Sequence, residues 1–69
     1  MILFQERLKE LRKEKHLSQI ELAKELQVSQ RSISSWETGF RQPDFAMLEI
    51  LAKYFNVTTD YLLGITDEL

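Results

Sequence analysis

The segment from Gln19 to Thr38, QIELAKELQVSQRSISSWET, limits the fold more than any other part of the chain, because it sets two helical runs only about three residues apart. Ser18 stands where a helix N-cap belongs, Glu21 follows at the capping-box spacing, and Leu22, Ala23 and Leu26 form a narrow apolar stripe. After Gln27 and Val28, Ser29 offers a second cap. Ile33 and Trp36 are then the only large apolar residues before Gly39, a natural helix stop. So short a connection forces a steep crossing, about 90–120°, at which the two helices touch closely at one point. Ala23 is the small residue that such a point requires, with Leu22, Leu26, Val28, Ile33 and Trp36 packed around it.

The flanking sequence is helical too. Two glycines and one proline leave few breaks. Phe4, Leu8 and Leu11 recur at i, i+4 and i+7 among Glu, Lys and Arg, which predicts an amphipathic helix over residues 3–15, broken at His16-Leu17. Phe40-Arg41-Gln42-Pro43 reads as a loop, and Asp44 is placed to cap a fourth helix with Leu48, Leu51, Ala52 and Phe55 on its buried side. Asn56 can take the left-handed conformation that ends it. Thr58 can cap a last short turn of Tyr61, Leu62 and Leu63 before Gly64. Trp36 and Phe55 belong to the core, while Tyr54 is free to stay exposed. The expectation is a compact all-α fold of five helices, forming one domain over residues 1–69, since separate cores need roughly 50 residues each. At 43% apolar and 29% charged, the chain is too apolar to remain disordered.

Several kinds of chemistry are excluded. Without cysteine there is no disulfide, thiolate zinc site or cysteine nucleophile. His16 is the sole histidine and lies in an inter-helix connection, and the carboxylates lack calcium-loop spacing. We therefore expect no enzyme activity, metal, cofactor or small-molecule substrate. The opening Met-Ile-Leu-Phe is too short for a signal-peptide core, and no apolar run approaches the ~20 residues that span a bilayer. No membrane association and a cytoplasmic location are expected.

A net charge of −2 argues against a nucleic-acid partner, but its distribution does not. Residues 1–43 carry eight bases against six acids, whereas residues 44–69 carry one base against five. The outer face of the third helix bears Gln30, Arg31, Ser34 and Ser35, and no acid interrupts residues 26–36. A helix selected only for solubility would be rich in Glu, Lys and Ala, because serine is a weaker helix former. Gln, Arg and Ser instead suit base edges: an amide pairs twice with adenine, arginine twice with guanine, and serine serves either. The amino ends of the second and third helices, at Ser18-Gln19 and Ser29-Gln30, add backbone donors for phosphate.

LSQIELAKELQVSQRSISSWETG resembles the helix-turn-helix of the Xre-type, lambda-repressor-like family of DNA-binding domains. The resemblance extends from Leu8-Lys9-Glu10-Leu11-Arg12 through Pro43 and the Leu48-Leu51-Ala52 helix to Val57-Thr58-Thr59-Asp60-Tyr61-Leu62-Leu63. It implies a compact five-helix domain, with the helix-turn-helix at about 19–38, that docks its third helix in the major groove of double-stranded DNA. Gln30, Arg31, Ser34 and Ser35 then occupy the base-reading positions, with Ser32 nearer the strand. Gln19 matches a phosphate-clamping glutamine, and Ser18, Thr38, Arg41 and Gln42 match positions that touch the sugar-phosphate strand. Arg12 and Glu37 match a structural ion pair between the first helix and the end of the third. Two departures stand out. Gln27 replaces a usual glycine, at a strain of about 1–2 kcal/mol if its backbone is left-handed, and the acidic balance implies weak binding to random DNA.

These features together predict a sequence-specific transcriptional regulator, a repressor that occupies its operator as a homodimer on inverted half-sites about 34 Å apart. Tyr54, Tyr61, Leu62, Ile65 and Leu69 are the apolar candidates for the dimer contact, and some of them must belong to the core instead. The alternative is a protein-interaction module of the same fold, an antitoxin or adaptor, whose third helix would present exposed Leu, Phe, Met or Tyr.

Overall fold

A computed structural model describes residues 2–68. Its regular structure is α1 (Phe4–Glu14), α2 (Gln19–Leu26), α3 (Gln30–Thr38), α4 (Phe45–Phe55) and α5 (Thr59–Leu62), with no strand among the described residues. α1 lies just inside the expected 3–15, because Glu6 rather than a side-chain cap fixes its start: the Glu6 carboxylate accepts from the Leu3 N–H at 3.2 Å.

The other four helices begin where their caps place them. Ser18 Oγ accepts from the Glu21 N–H at 3.0 Å, Ser29 Oγ from Ser32 at 3.1 Å, Asp44 Oδ1 from Met47 at 2.8 Å and Thr58 Oγ1 from Tyr61 at 3.0 Å. Glu21 completes a capping box by accepting from the Ser18 N–H at 2.8 Å. That bond favours the charged carboxylate and holds its pKa below the usual value.

Left-handed residues end or follow four of the helices: His16 (φ 58°), Gln27 (58°), Gly39 (79°) and Asn56 (57°). Gly39 suits its place because that conformation strains any residue with a Cβ, and a Cβ there would meet Gln5 Oε1 at 2.5 Å.

The core is one cluster of Leu8, Leu11, Leu22, Ala23, Ile33, Trp36, Leu51, Ala52, Phe55 and Leu62. Leu26, Val28 and Leu48, expected inside it, are only half-buried at its margin. Tyr54 is not exposed either. It is half-buried, its ring 5.0 Å edge-on from Phe55 and its hydroxyl donating to Glu25 at 3.4 Å.

Arg7 is buried against the far end of the chain, its guanidinium 3.8 Å from the Tyr61 ring and its Nη2 donating to Asp67 at 2.6 Å. Burial opposes the Arg7 charge, but the bonds to Asp67 and Tyr61 outweigh it and raise the pKa. These contacts change the list of residues available to a second copy. Leu62 is fully buried and must be removed from it, Tyr61 is half-covered by Arg7, Ile65 is exposed, and Leu69 lies outside the described residues.

α3 packs against both α1 and α2, while α5 bridges α4 and α1. One flank of α3 is thus fixed in the core, and the other faces solvent. No helix among the described residues is long and apolar enough to cross a membrane.

Candidate nucleic-acid interface

With about 100° between successive residues, Ile33, Trp36 and Glu37 share the inner side of α3, and all three are buried. Arg31, Ser34, Ser35 and Thr38 project from the opposite side, and Gln30 lies at its leading edge. Gln30 and Arg31 are exposed, whereas Ser34 and Ser35 are half-buried, their short side chains lying close to the helix surface. The four residues expected to read bases therefore form one continuous ridge.

A buried polar network supports this ridge from behind. Arg12 Nε and Nη2 grip Glu37 Oε2 and Oε1 at 2.6 and 2.9 Å, and Arg12 Nη1 donates to the Leu17 carbonyl at 2.8 Å. Both side chains are nearly inaccessible to solvent, and the hydrogen bonds that Arg12 donates to Glu37 raise the Arg12 pKa. The ion pair is thus formed as the resemblance implied. The structure extends it further: Gln19 Nε2 donates to Glu37 Oε1 at 3.1 Å, and Gln19 Oε1 accepts from Gln30 Nε2 at 2.7 Å. A carboxylate can only accept, so Glu37 fixes which end of the Gln19 amide faces it, and Gln19 in turn fixes Gln30. The Gln30 carbonyl and one amide hydrogen remain free for a ligand.

The expected strand-contacting residues surround the ridge. Ser18, Ser29, Thr38, Arg41 and Gln42 are exposed, and Gln19 and Ser32 are half-buried. All four hydroxyl residues among them already have local partners. Ser18 and Ser29 cap helices, Ser29 Oγ lies 3.0 Å from Ser32 Oγ, and Thr38 donates to the Ser35 carbonyl at 3.2 Å. Arg31 and Arg41 form no ion pair among the described residues, so their charges are available to an anion.

Beside the ridge lies a cleft of 690 Å³ between α3 (Arg31, Ser35, Trp36) and the loop that follows (Phe40, Arg41, Gln42). Phe40 is 77% exposed. Sequence pattern did not single it out, because a lone loop aromatic has no periodicity to mark it. No group of His, Asp and Glu suited to a metal occurs among the described residues.

A family profile described as helix-turn-helix matches residues 8–62. The chain belongs to the Xre-type, lambda-repressor-like helix-turn-helix family. It is 45% identical over 61 residues to the HTH-type transcriptional activator BcrR of Enterococcus faecalis, covering 88% of this chain and 30% of that protein. It is also 41% identical over 58 residues to the HTH-type transcriptional regulator ImmR of Bacillus subtilis, covering 84% and 46%. The chain thus spans roughly a third to a half of the length of these curated relatives. Among solved structures, the P22 c2 repressor in complex with a synthetic operator superposes with a TM-score of 0.83 at 35% identity, covering 91% of this chain and 96% of that one. A transcriptional regulator from Listeria innocua gives 0.84 at 34% identity, covering 99% and 65%.

Proposed function

We propose that this helix-turn-helix domain binds double-stranded DNA by sequence and regulates transcription, with α3 in the major groove. The observation that carries the proposal is the ridge of Gln30, Arg31, Ser34 and Ser35, backed by the Gln19-Glu37-Arg12 network and free of acids. The network fixes the rotamer of Gln30 before binding, so little ordering entropy of that side chain remains to oppose recognition. Gln30 keeps the donor and acceptor that adenine requires, Arg31 has the fork for guanine, and Ser34 and Ser35 can serve either base. Ser18, Gln19, Ser29, Ser32, Thr38, Arg41 and Gln42 would hold the flanking strands and set the register. The likeness to a repressor seated on operator DNA supports this orientation.

One helix reads few base pairs, so two copies on inverted half-sites would supply the specificity a genome demands. Occupancy of an operator excludes polymerase with no further part, which favours repression; activation needs a second surface that engages polymerase. The domain acts by binding rather than catalysis, in the cytoplasm, where the duplex lies. A protein-docking helix would expose large apolar groups, and both such residues of α3, Ile33 and Trp36, are buried.

The test is selection from a random duplex library. Enrichment of a two-fold motif with half-sites about one helical turn apart is expected. Recovery of no motif would overturn the proposal.

A further inference from the structure

The cleft beside the reading ridge has an edge that the base and phosphate contacts above leave unused. Phe40 stands there with 77% of its surface in solvent. A single exposed aromatic is ordinary and carries nothing alone. Its setting is what distinguishes it from Phe45, which is 91% exposed and lines a separate cleft of 170 Å³ beside Phe4, Pro43, Leu48 and Leu63, with no cation among the lining residues. Phe40 shares its cleft with Arg31 and Arg41, and the Arg41 guanidinium lies 6.0 Å from its ring centroid. The one acid lining this cleft, Asp44, has its Oδ1 occupied by the Met47 N–H at 2.8 Å. The loop is also held in place: Gly39 makes the left-handed turn out of α3, and the Arg41 N–H returns to the Ser35 carbonyl at 3.2 Å. An aromatic ring that shares its cleft with two cations outside any ion pair, and with Ser35 of the ridge, suits a surface that alternates anionic and carbon-rich patches. The rim of a duplex groove is such a surface, with deoxyribose carbons and thymine methyls lying beside phosphates.

We propose that Phe40 is a DNA-contacting residue whose ring packs on the carbon surface of the duplex at the edge of the groove read by α3, with Arg41 on the adjacent phosphate. This rests on the DNA-binding function proposed above. The contact is apolar, so it contributes affinity without releasing counterions, whereas Arg41 releases about one.

The experiment measures fluorescence anisotropy of a duplex enriched by the unmodified chain, titrated with that chain, Phe40→Ala, Phe40→Leu and Arg41→Ala over a series of salt concentrations. Loss of about 60 Å² of apolar contact weakens Phe40→Ala binding about tenfold. The salt slope is expected to stay unchanged, and Phe40→Leu should recover most of the loss. Arg41→Ala should lower the slope by about one. Repeating the titration with uracil for thymine in the half-site separates the two carbon sources: a Phe40→Ala penalty that vanishes assigns the thymine methyl, and one that persists assigns deoxyribose. Unchanged affinity of Phe40→Ala, or a reduced salt slope, overturns the contact while leaving the DNA reading intact. Failure of the unmodified chain to enrich or hold any duplex overturns both.

Discussion

Replacing Glu37 by alanine removes the counter-charge of Arg12 and two of the three hydrogen bonds its guanidinium makes, leaving only the bond to the Leu17 carbonyl. Breaking one side of a buried pair costs about 3–5 kcal/mol. Because the Leu17 bond is only part-buried and lets the freed guanidinium shift toward water, we expect the lower end, about 3 kcal/mol. A chain of 69 residues has a total stability of only about 3–10 kcal/mol, so the loss is a large share of the whole. At ~4–8 °C per kcal/mol for a domain of this size, the melting temperature should fall by about 12–24 °C. Arg12→Met alone strands the Glu37 carboxylate and should cost a similar amount. The double variant Arg12→Met/Glu37→Leu removes both charges and fills the space, and should return to within about 1 kcal/mol of the parent. Urea unfolding followed by circular dichroism, with Glu37→Leu measured alone as the matching single variant, gives all four free energies of the cycle. If the double variant loses the sum of the single losses, or Glu37→Ala costs under about 1 kcal/mol, the pair is not the buried anchor described here. The double variant should still bind DNA weakly, since Gln19 loses the oxygen that orients it.

Gln27→Gly should leave the melting temperature unchanged or raise it by up to about 12 °C: relief of about 1–2 kcal/mol of left-handed strain opposes about 0.5–1 kcal/mol of added chain entropy. A clear fall in calorimetry would refute the strain at φ 58°. Arg31→Ala should relax selectivity at one base position at a cost of about 1–3 kcal/mol, while Gln19→Ala should weaken all sequences and in addition loosen the position read by Gln30, which it orients, both measurable on single-substituted duplexes. An Arg31→Ala variant with unchanged preference would show the ridge to be misassigned. The fold lowers the Glu21 pKa, so its contribution to stability is complete above the unfolded carboxylate value and disappears as pH falls through the folded one. Glu21→Gln should therefore flatten the acid side of the stability profile, and an unaltered profile would contradict the capping box.

The features legible in the sequence are those whose cause is local. Ser18, Ser29, Asp44 and Thr58 mark helix starts because each cap bonds a backbone N–H three residues on, a spacing visible without coordinates. Ile33 and Trp36 declare the inner side of α3 for the same reason. The Arg12-Glu37 pair, 25 residues apart, was accessible only through family resemblance, since charge pairing over that distance leaves no spacing rule. The Gln19-Gln30 amide contact left no trace, because nothing in two glutamines 11 residues apart distinguishes partners from solvated side chains. Sequence alone does not separate Leu62 from the dimer candidates, because α5, only four residues long, is too short for periodicity to reveal its inward side. His16 entered only as a break in pattern, although its left-handed backbone is what turns the chain after α1.

On the proposed function, the acid-free ridge of α3 and the helix starts beside it are the surface that meets the duplex. A titration of the ¹⁵N-labelled chain with a library-selected duplex, followed by amide chemical shifts, tests this residue by residue. The largest changes are expected at Ser18-Gln19, from Ser29 to Ser35, and from Thr38 to Gln42, with α4 and the acidic carboxyl-terminal residues little affected. Changes centred on α4 and α5, with Gln30, Arg31, Ser34 and Ser35 unmoved, would contradict it.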